Sequence, residues 1–377
     1  MNLTQNNTNI QKSRISEIDA MRAFALLGIC IVHFWNSYGL KTGITNSISI
    51  DKYINSLIAI LLPGRFADIF AVMFGISFFI ILSKPNYSRE KFVWRSMILM
   101  ISGLAVKRIY TYDALFWYGL IGCILPIFYN CRKTVILLLV IFFLAITSIL
   151  DVQDLGVKLL PSVSSVRSDP DIPILEYISY PHSLRDYLRS IISSGIFGTL
   201  YLFLLGFYLG KIGIIYRLRD YSKNGSVLKW GVIYSVLLFL NYLLNHITSD
   251  AFFVDIIISF IYKIMLLSGA IFYSIIFLKL YFSSGFRFLT FFESYGKLGL
   301  TNYVLQHIIG VFILYSFGAG LSGILLSYKI LIAFVVFSLQ LACSFYWLKV
   351  YKYGPLEWFW RSLTNLRIVP FKIQNTS

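Results

Sequence analysis

The sequence predicts an all-α, polytopic helical membrane protein, and three observations predict it. Of 377 residues, 58% are hydrophobic and only 13% are charged, against about a quarter charged in a soluble domain. Mean hydropathy is +0.74. The apolar residues fall in unbroken runs such as Ile121–Tyr129, Val135–Leu150 and Ile330–Phe337, whereas barrel strands alternate polar and apolar over about ten residues. Hydrocarbon leaves the backbone to satisfy itself, so runs of this kind must be helices.

At about 20 apolar residues per span, ten transmembrane helices are expected. A polar start, Met1–Arg14, runs straight into the first, 18–38, which is long enough to stay in the membrane rather than be cleaved as a leader. The second, 57–82, is long, and Pro63 and Gly64 mark where it breaks. The third (92–109) follows a basic stretch, the fourth (114–130) opens after Asp113, and the fifth (134–150) follows Arg132 and Lys133. The sixth (192–212), seventh (229–246) and eighth (254–282) come next, the eighth holding Lys263 within it. The ninth, 299–318, is polar in its first half, and the tenth is 326–350. With the N-terminus inside, the inner loops and the tail of about 351–377 collect more than twice as many Lys and Arg as the outer loops, so both termini read as cytoplasmic. The chain, 1–377, reads as one integral membrane domain. Its long polar stretch is an outer loop of about 151–190, acidic and broken by Pro161, Pro170, Pro173 and Pro181. Its end, Tyr177–Arg189, is amphipathic enough to lie on the outer surface.

The net charge of +16 does not point to nucleic acid, because the basic residues sit in short loops facing anionic membrane lipid. Cys30, Cys123, Cys131 and Cys343 lie in or beside apolar segments without metal spacing and read as small core residues. No metal site, phosphate loop or Ser-His-Asp spacing is present.

Ionisable groups inside a membrane need a partner or a task. The first helix holds Asp19 and Arg22 at its inner end and His33 further in. Eleven positions separate Arg22 from His33, which puts both on one face roughly 16 Å apart along the axis. Asp19 and Asn36 fall near the same stripe. Either this is a polar track, with Arg22 holding a phosphate or carboxylate and neutral His33 serving as a general base, or Asp19 and Arg22 pair at the interface while His33 bonds a neighbouring helix. Arg65 and Asp68 stand i,i+3 at the outer side; they pair locally or shape an outward-facing pocket. Asp113 suits the first turn of the fourth helix. In the ninth, Asn302 and Gln306 share a face and His307 points about 100° away, polar groups that glue helices or bind substrate. His182 and His246 read as exposed.

The opening Asp19-x-x-Arg22-x-Phe24-Ala25-Leu26-Leu27-Gly28-Ile29 resembles the YeiB-like bacterial membrane proteins of unknown function, as do Phe70-x-x-x-Phe74-Gly75 and Asp113-x-Leu115-x-x-Tyr118. The close is more distinctive: Gly299-x-Thr301-Asn302-Tyr303-x-x-Gln306, then Tyr353-Gly354-Pro355-Leu356-Glu357-Trp358-x-Trp360-Arg361. That family is similar in turn to a wider group of transmembrane acyltransferases that modify glycans. Its O-acylating branch uses an Arg and a His with ten residues between them in the first helix, as Arg22 and His33 have here. The resemblance implies a core of about ten helices and a multi-pass protein of the inner (plasma) membrane. It also implies an acyl-CoA-dependent O- or N-acyltransferase, with acetyl-CoA the expected donor and a glycan or small molecule the acceptor at the outer side. Arg22 and His33 are then catalytic, and Asp19, Asn36, Arg65, Asp68, Asn302 and Gln306 bind substrate. The alternative is a small-molecule transporter or exporter whose path the same residues line.

Overall fold

A computed structural model of the chain describes residues 15–40, 49–85, 87–110, 113–156, 194–244, 246, 252–315 and 318–373. Among them the structure is helical, with one isolated β-bridge between Tyr351 and Lys372. The helices are α1 (Ser16–Trp35), α2 (Ser49–Leu61), α3 (Arg65–Leu82), α4 (Arg89–Ile109) and α5 (Leu115–Ile124), followed by α6 (Lys133–Gly156) and α7 (Ser194–Lys211). Then come α8 (Asn224–Leu244), α9 (Phe252–Tyr281), α10 (Phe291–Lys297), α11 (Gly299–Leu314), α12 (Leu326–Val350) and α13 (Pro355–Asn365).

Each of the ten predicted segments holds a helix among the described residues. By length and composition, six stretches suffice to cross a membrane, or eight if two bent pairs each count as one span. The other two predicted spans fall short of that test: α4 carries Arg95, Lys107 and Arg108, and Leu115–Phe128 is short. The break expected in the second segment falls between α2 and α3, where Gly64 takes φ 83°. α1 ends at Trp35, so His33 lies two residues from its end, closer to that end than the 18–38 span implied. Of the acidic loop, Asp151 belongs to α6, and Lys263 of α9 forms an ion pair with it at 2.5 Å, which gives that intramembrane lysine its partner. Residues 152–156 continue α6, and 157–190, including Tyr177–Arg189 and His182, lies outside the described residues. His246 is exposed. Cys30 is buried, but Cys343 is exposed on α12, so the reading of all four cysteines as core residues does not hold.

α1 sits at the centre, against α3, α10, α11 and α12. Within its apolar window 61% of residues are buried, against 6% for α8; α8 is the lipid-facing extreme. Lipid supplies no hydrophobic drive between helices, so close packing must hold them together. α3 and α7 meet where Gly75 faces the Phe203 carbonyl and Gly206 faces that of Val72, each leaving no room for a Cβ. That contact accounts for Gly75 in its motif. Within the predicted C-terminal tail, α13 folds back on α4 and α11, with Trp360 Nε1 donating to the Arg95 carbonyl at 2.8 Å.

Candidate functional site

At the start of α1, Arg22 Nη1 donates to Asp19 Oδ1 at 2.8 Å and Nη2 donates to Ser77 Oγ of α3. Asp19 is buried, its backbone pressed against Gly296, where a Cβ would collide with the Asp19 carbonyl. This close approach brings α10 alongside and sets Lys297 at the rim of a cavity of about 120 Å³. Arg22, Arg95, Lys297 and Arg361 all line that cavity, with Phe70, Phe74, Phe78 and Trp360 forming its apolar walls. The Arg95 guanidinium lies 3.7 Å from the centre of the Trp360 ring and its Nε has no hydrogen-bond partner. Arg361 lies 4.5 Å over Tyr353.

Among the described residues the one carboxylate on the cavity wall, Glu357, is already committed. It accepts from the backbone N–H groups of Leu300 (2.7 Å) and Thr301 (3.0 Å) and from the Thr301 hydroxyl. A helix leaves its first N–H groups unsatisfied; Glu357 caps α11 from a different helix. Gly354 permits this, since a Cβ there would strike Glu357 and Thr301. Burial raises the Glu357 carboxyl above its ordinary value, and the bonds from Thr301 and Leu300 oppose that rise. Four cations therefore converge on a small aromatic-walled cavity whose nearest acids, Asp19 and Glu357, are both engaged. Such a site suits a phosphorylated ligand with a flat or apolar part.

At the other end of α1, His33 stands among Tyr38, Tyr110 and His307, at ring-centroid distances of 5.3, 5.1 and 4.8 Å. Ser37 and Tyr38 take positive φ (53° and 54°), a strained turn that folds Tyr38 back so that its hydroxyl donates to the Gln306 carbonyl at 3.0 Å. Buried Lys329 of α12 donates to Ser37 Oγ at 2.8 Å. His307 Nδ1 lies 2.7 Å from the Tyr303 carbonyl. The Tyr303 hydroxyl donates to Asp113 Oδ1 at 2.8 Å, and Asp113 Oδ2 accepts from Leu115 N, capping α5. Ring contacts join the two ends: Phe70, on the cavity wall, stacks on Tyr303 at 5.9 Å, and Tyr303 lies 4.4 Å from His307.

The structure thus groups Arg22 and Asp19 at one end of α1 and His33 at the other. Asn36 is exposed at the helix end. The local Arg65–Asp68 pair does not form. Arg65 instead donates back to the Pro63 carbonyl at 2.8 Å and reaches across to Met265 and Tyr234, because the turn at Gly64 points it toward α9 and α8. Asp68 is buried with Oδ2 unpartnered. Asn302 is structural, donating to Tyr295 O and Ser344 Oγ, while both amide atoms of buried Gln306 lack partners. In the sequence Arg95, Lys297 and Arg361 read only as loop charge, although Trp360-Arg361 stands within the distinctive C-terminal motif.

Two family models divide the chain. The one described as heparan-alpha-glucosaminide N-acetyltransferase, catalytic, matches residues 14–212, more than half of it. The one described as protein of unknown function (DUF418), the YeiB-like group, matches residues 209–367. The cationic cavity draws Arg22 and Arg95 from the first and Lys297 and Arg361 from the second. Over 381 residues the chain is 26% identical to an uncharacterized 39.9 kDa protein in the amylase 3' region of Bacillus acidopullulyticus, covering 96% of each. It is also 39% identical over 80 residues to uncharacterized protein YxaH of Bacillus subtilis (strain 168), 21% of this chain and 20% of that protein.

Proposed function

We propose that this chain, which belongs to the heparan-alpha-glucosaminide N-acetyltransferase catalytic family, moves an acyl group from cytoplasmic acyl-CoA to a hydroxyl or amine at the outer side of the plasma membrane. The observation that carries this reading is that one helix, α1, holds Arg22 in a cationic cavity and His33 in a buried histidine–tyrosine cluster. Arg22, Arg95, Lys297 and Arg361 take the donor's phosphates, with Trp360 and the phenylalanines offering its base an aromatic wall. Both termini face the cytoplasm, so this cavity opens to the cytoplasmic donor pool and the His33 end faces the acceptor, a glycan or small sugar-like molecule.

At the reacting centre, His33 takes the proton of the acceptor O–H or N–H as that atom attacks the thioester carbonyl. The C–S bond then breaks, and the imidazolium returns the proton to the leaving thiolate, giving free CoA thiol and the acylated acceptor. Holding both substrates on one protein supplies rate by proximity. Asp68 and Gln306, buried with polar atoms unpartnered, remain acceptor-side candidates, because such atoms need a partner from water or ligand. Asn302 and Arg65 are occupied structurally.

Binding of radiolabelled acetyl-CoA to the purified protein in nanodiscs tests the donor half. Saturable binding is expected, weakened about tenfold or more by Arg22→Ala, as the loss of a charge-assisted bond dictates. An absence of saturable binding by folded protein overturns the reading. In transfer assays with lipid-linked sugars and soluble glycans, His33→Ala is expected to reduce turnover at least about a hundredfold with donor binding intact; full activity would remove His33 as the base.

A further inference from the structure

We propose that His307 is a positioning residue that fixes His33 as its Nδ1–H tautomer and leaves His33 Nε2 as the proton-accepting nitrogen. The geometry stands by itself; its catalytic consequence rests on the acyl-transfer reading above.

His307 Nδ1 lies 2.7 Å from the Tyr303 carbonyl. A carbonyl only accepts, so Nδ1 carries the hydrogen, and in neutral imidazole Nε2 is then a bare lone pair. That Nε2 is buried and has no donor. The adjacent ring is His33, with centroids 4.8 Å apart and planes 65° apart. His33 Nδ1 is likewise buried without a partner. Of the neighbouring hydroxyls, that of Tyr38 donates to Gln306 O and that of Tyr303 to Asp113, while the Tyr110 ring lies against both histidines.

Two orphaned ring nitrogens on touching rings satisfy each other in one arrangement only. If His33 carries its hydrogen on Nε2, its Nδ1 and His307 Nε2 are both bare acceptors and cannot bond each other. If it carries the hydrogen on Nδ1, that N–H meets the His307 lone pair, directly after a small ring rotation or through one water. The result is a directed chain: His33 Nδ1–H donates to His307 Nε2, and His307 Nδ1–H donates to the Tyr303 carbonyl. An orienting partner behind an imidazole fixes its tautomer and raises the basicity of its far nitrogen. When His33 gains a proton on Nε2, the charge stays on His33, stabilised by the chain behind it.

The chain has four histidines, which makes the test tractable: solid-state NMR of protein labelled with 15N-histidine in lipid bilayers, with signals assigned by single substitutions. Wild-type His33 is expected to show a protonated Nδ1 and a bare Nε2. In His307→Leu its signals are expected to move to a tautomer mixture, and kcat for transfer to fall about 10–100-fold with donor KM unchanged. His307→Gln, whose amide oxygen accepts, is expected to recover most of both. Retained acetyl-CoA binding reports that each variant is folded; should His307→Leu fail to fold, the wild-type tautomer and His307→Gln decide. A wild-type His33 protonated on Nε2, or a His33 signal unmoved in folded His307→Leu, overturns the proposal. A tautomer that responds in a protein that neither binds acetyl-CoA nor transfers acyl groups keeps the histidine pair and removes the acyl-transfer reading.

Discussion

Replacing Glu357 with alanine removes the acceptor of two backbone N–H groups and one hydroxyl at the start of α11. Losing a cap costs about 0.5–2 kcal/mol per site, and hydrogen bonds to a charged group contribute about 1.5–3 kcal/mol each. The three bonds share one carboxylate and are not additive, so about 3 kcal/mol is expected for Glu357→Ala. Glutamine keeps one carbonyl oxygen for the Leu300 and Thr301 N–H groups and presents an amide to the Thr301 hydroxyl, which can turn and accept. Glu357→Gln should therefore cost only about 1 kcal/mol. Equilibrium unfolding in mixed micelles measures both. Because Leu300 and Glu357 line the cationic cavity, acetyl-CoA binding should weaken in the same order. An alanine variant as stable as wild type, or a glutamine variant as damaged as alanine, would refute the view that Glu357 caps α11.

Burial raises the Glu357 carboxyl above 4.5, so the folded protein holds this proton more tightly than the unfolded chain. Its contribution is complete below about 4.5 and is lost as pH rises through the folded value; the stability gap between wild type and Glu357→Gln should narrow over that window. Lys263→Met leaves Asp151, whose side chain is 30% exposed, with only the Ser259 hydroxyl as donor, and should cost about 1–3 kcal/mol, less than the 3–5 of a fully buried pair. Lys263→Met with Asp151→Leu should recover most of it, which a double-mutant cycle checks. Arg95→Ala should weaken acetyl-CoA binding about tenfold, and Arg95→Lys should recover only part, since lysine lacks the planar group that stacks on Trp360. Titrating binding against salt in both variants measures this.

The helices were legible because apolar runs are local, and so was the break at Pro63 and Gly64. Arg22 and His33 were legible as one face of one helix because their spacing is helical arithmetic. Arg95, Lys297 and Arg361 were not: each is an ordinary loop-side cation in sequence, and only the packing of α4, α10 and α13 around α1 brings them together. The motif ending in Trp360-Arg361 was conspicuous, but nothing local says that Glu357 within it caps a helix more than fifty residues earlier. Arg65 and Asp68 misled for the opposite reason. Their i,i+3 spacing is what a paired helix start requires, yet Gly64 turns Arg65 toward α9 and its own Pro63 carbonyl. His307 was visible as a polar residue of the ninth helix, but its role depends on which ring lies across from it.

The length of α9 carries a consequence for the membrane around it. Thirty residues, Phe252–Tyr281, span about 45 Å, while the hydrocarbon core is about 30 Å thick. A typical tilt of about 20° absorbs only a few ångströms of that excess, so one or both ends of α9 stand in the headgroup layer or stretch the local bilayer. Lys263 rides on this helix and holds Asp151 of α6. Hydrophobic mismatch at α9 is therefore transmitted to α6 through an ion pair, and acyl-chain length in the host bilayer becomes a variable that tunes the depth of two charges.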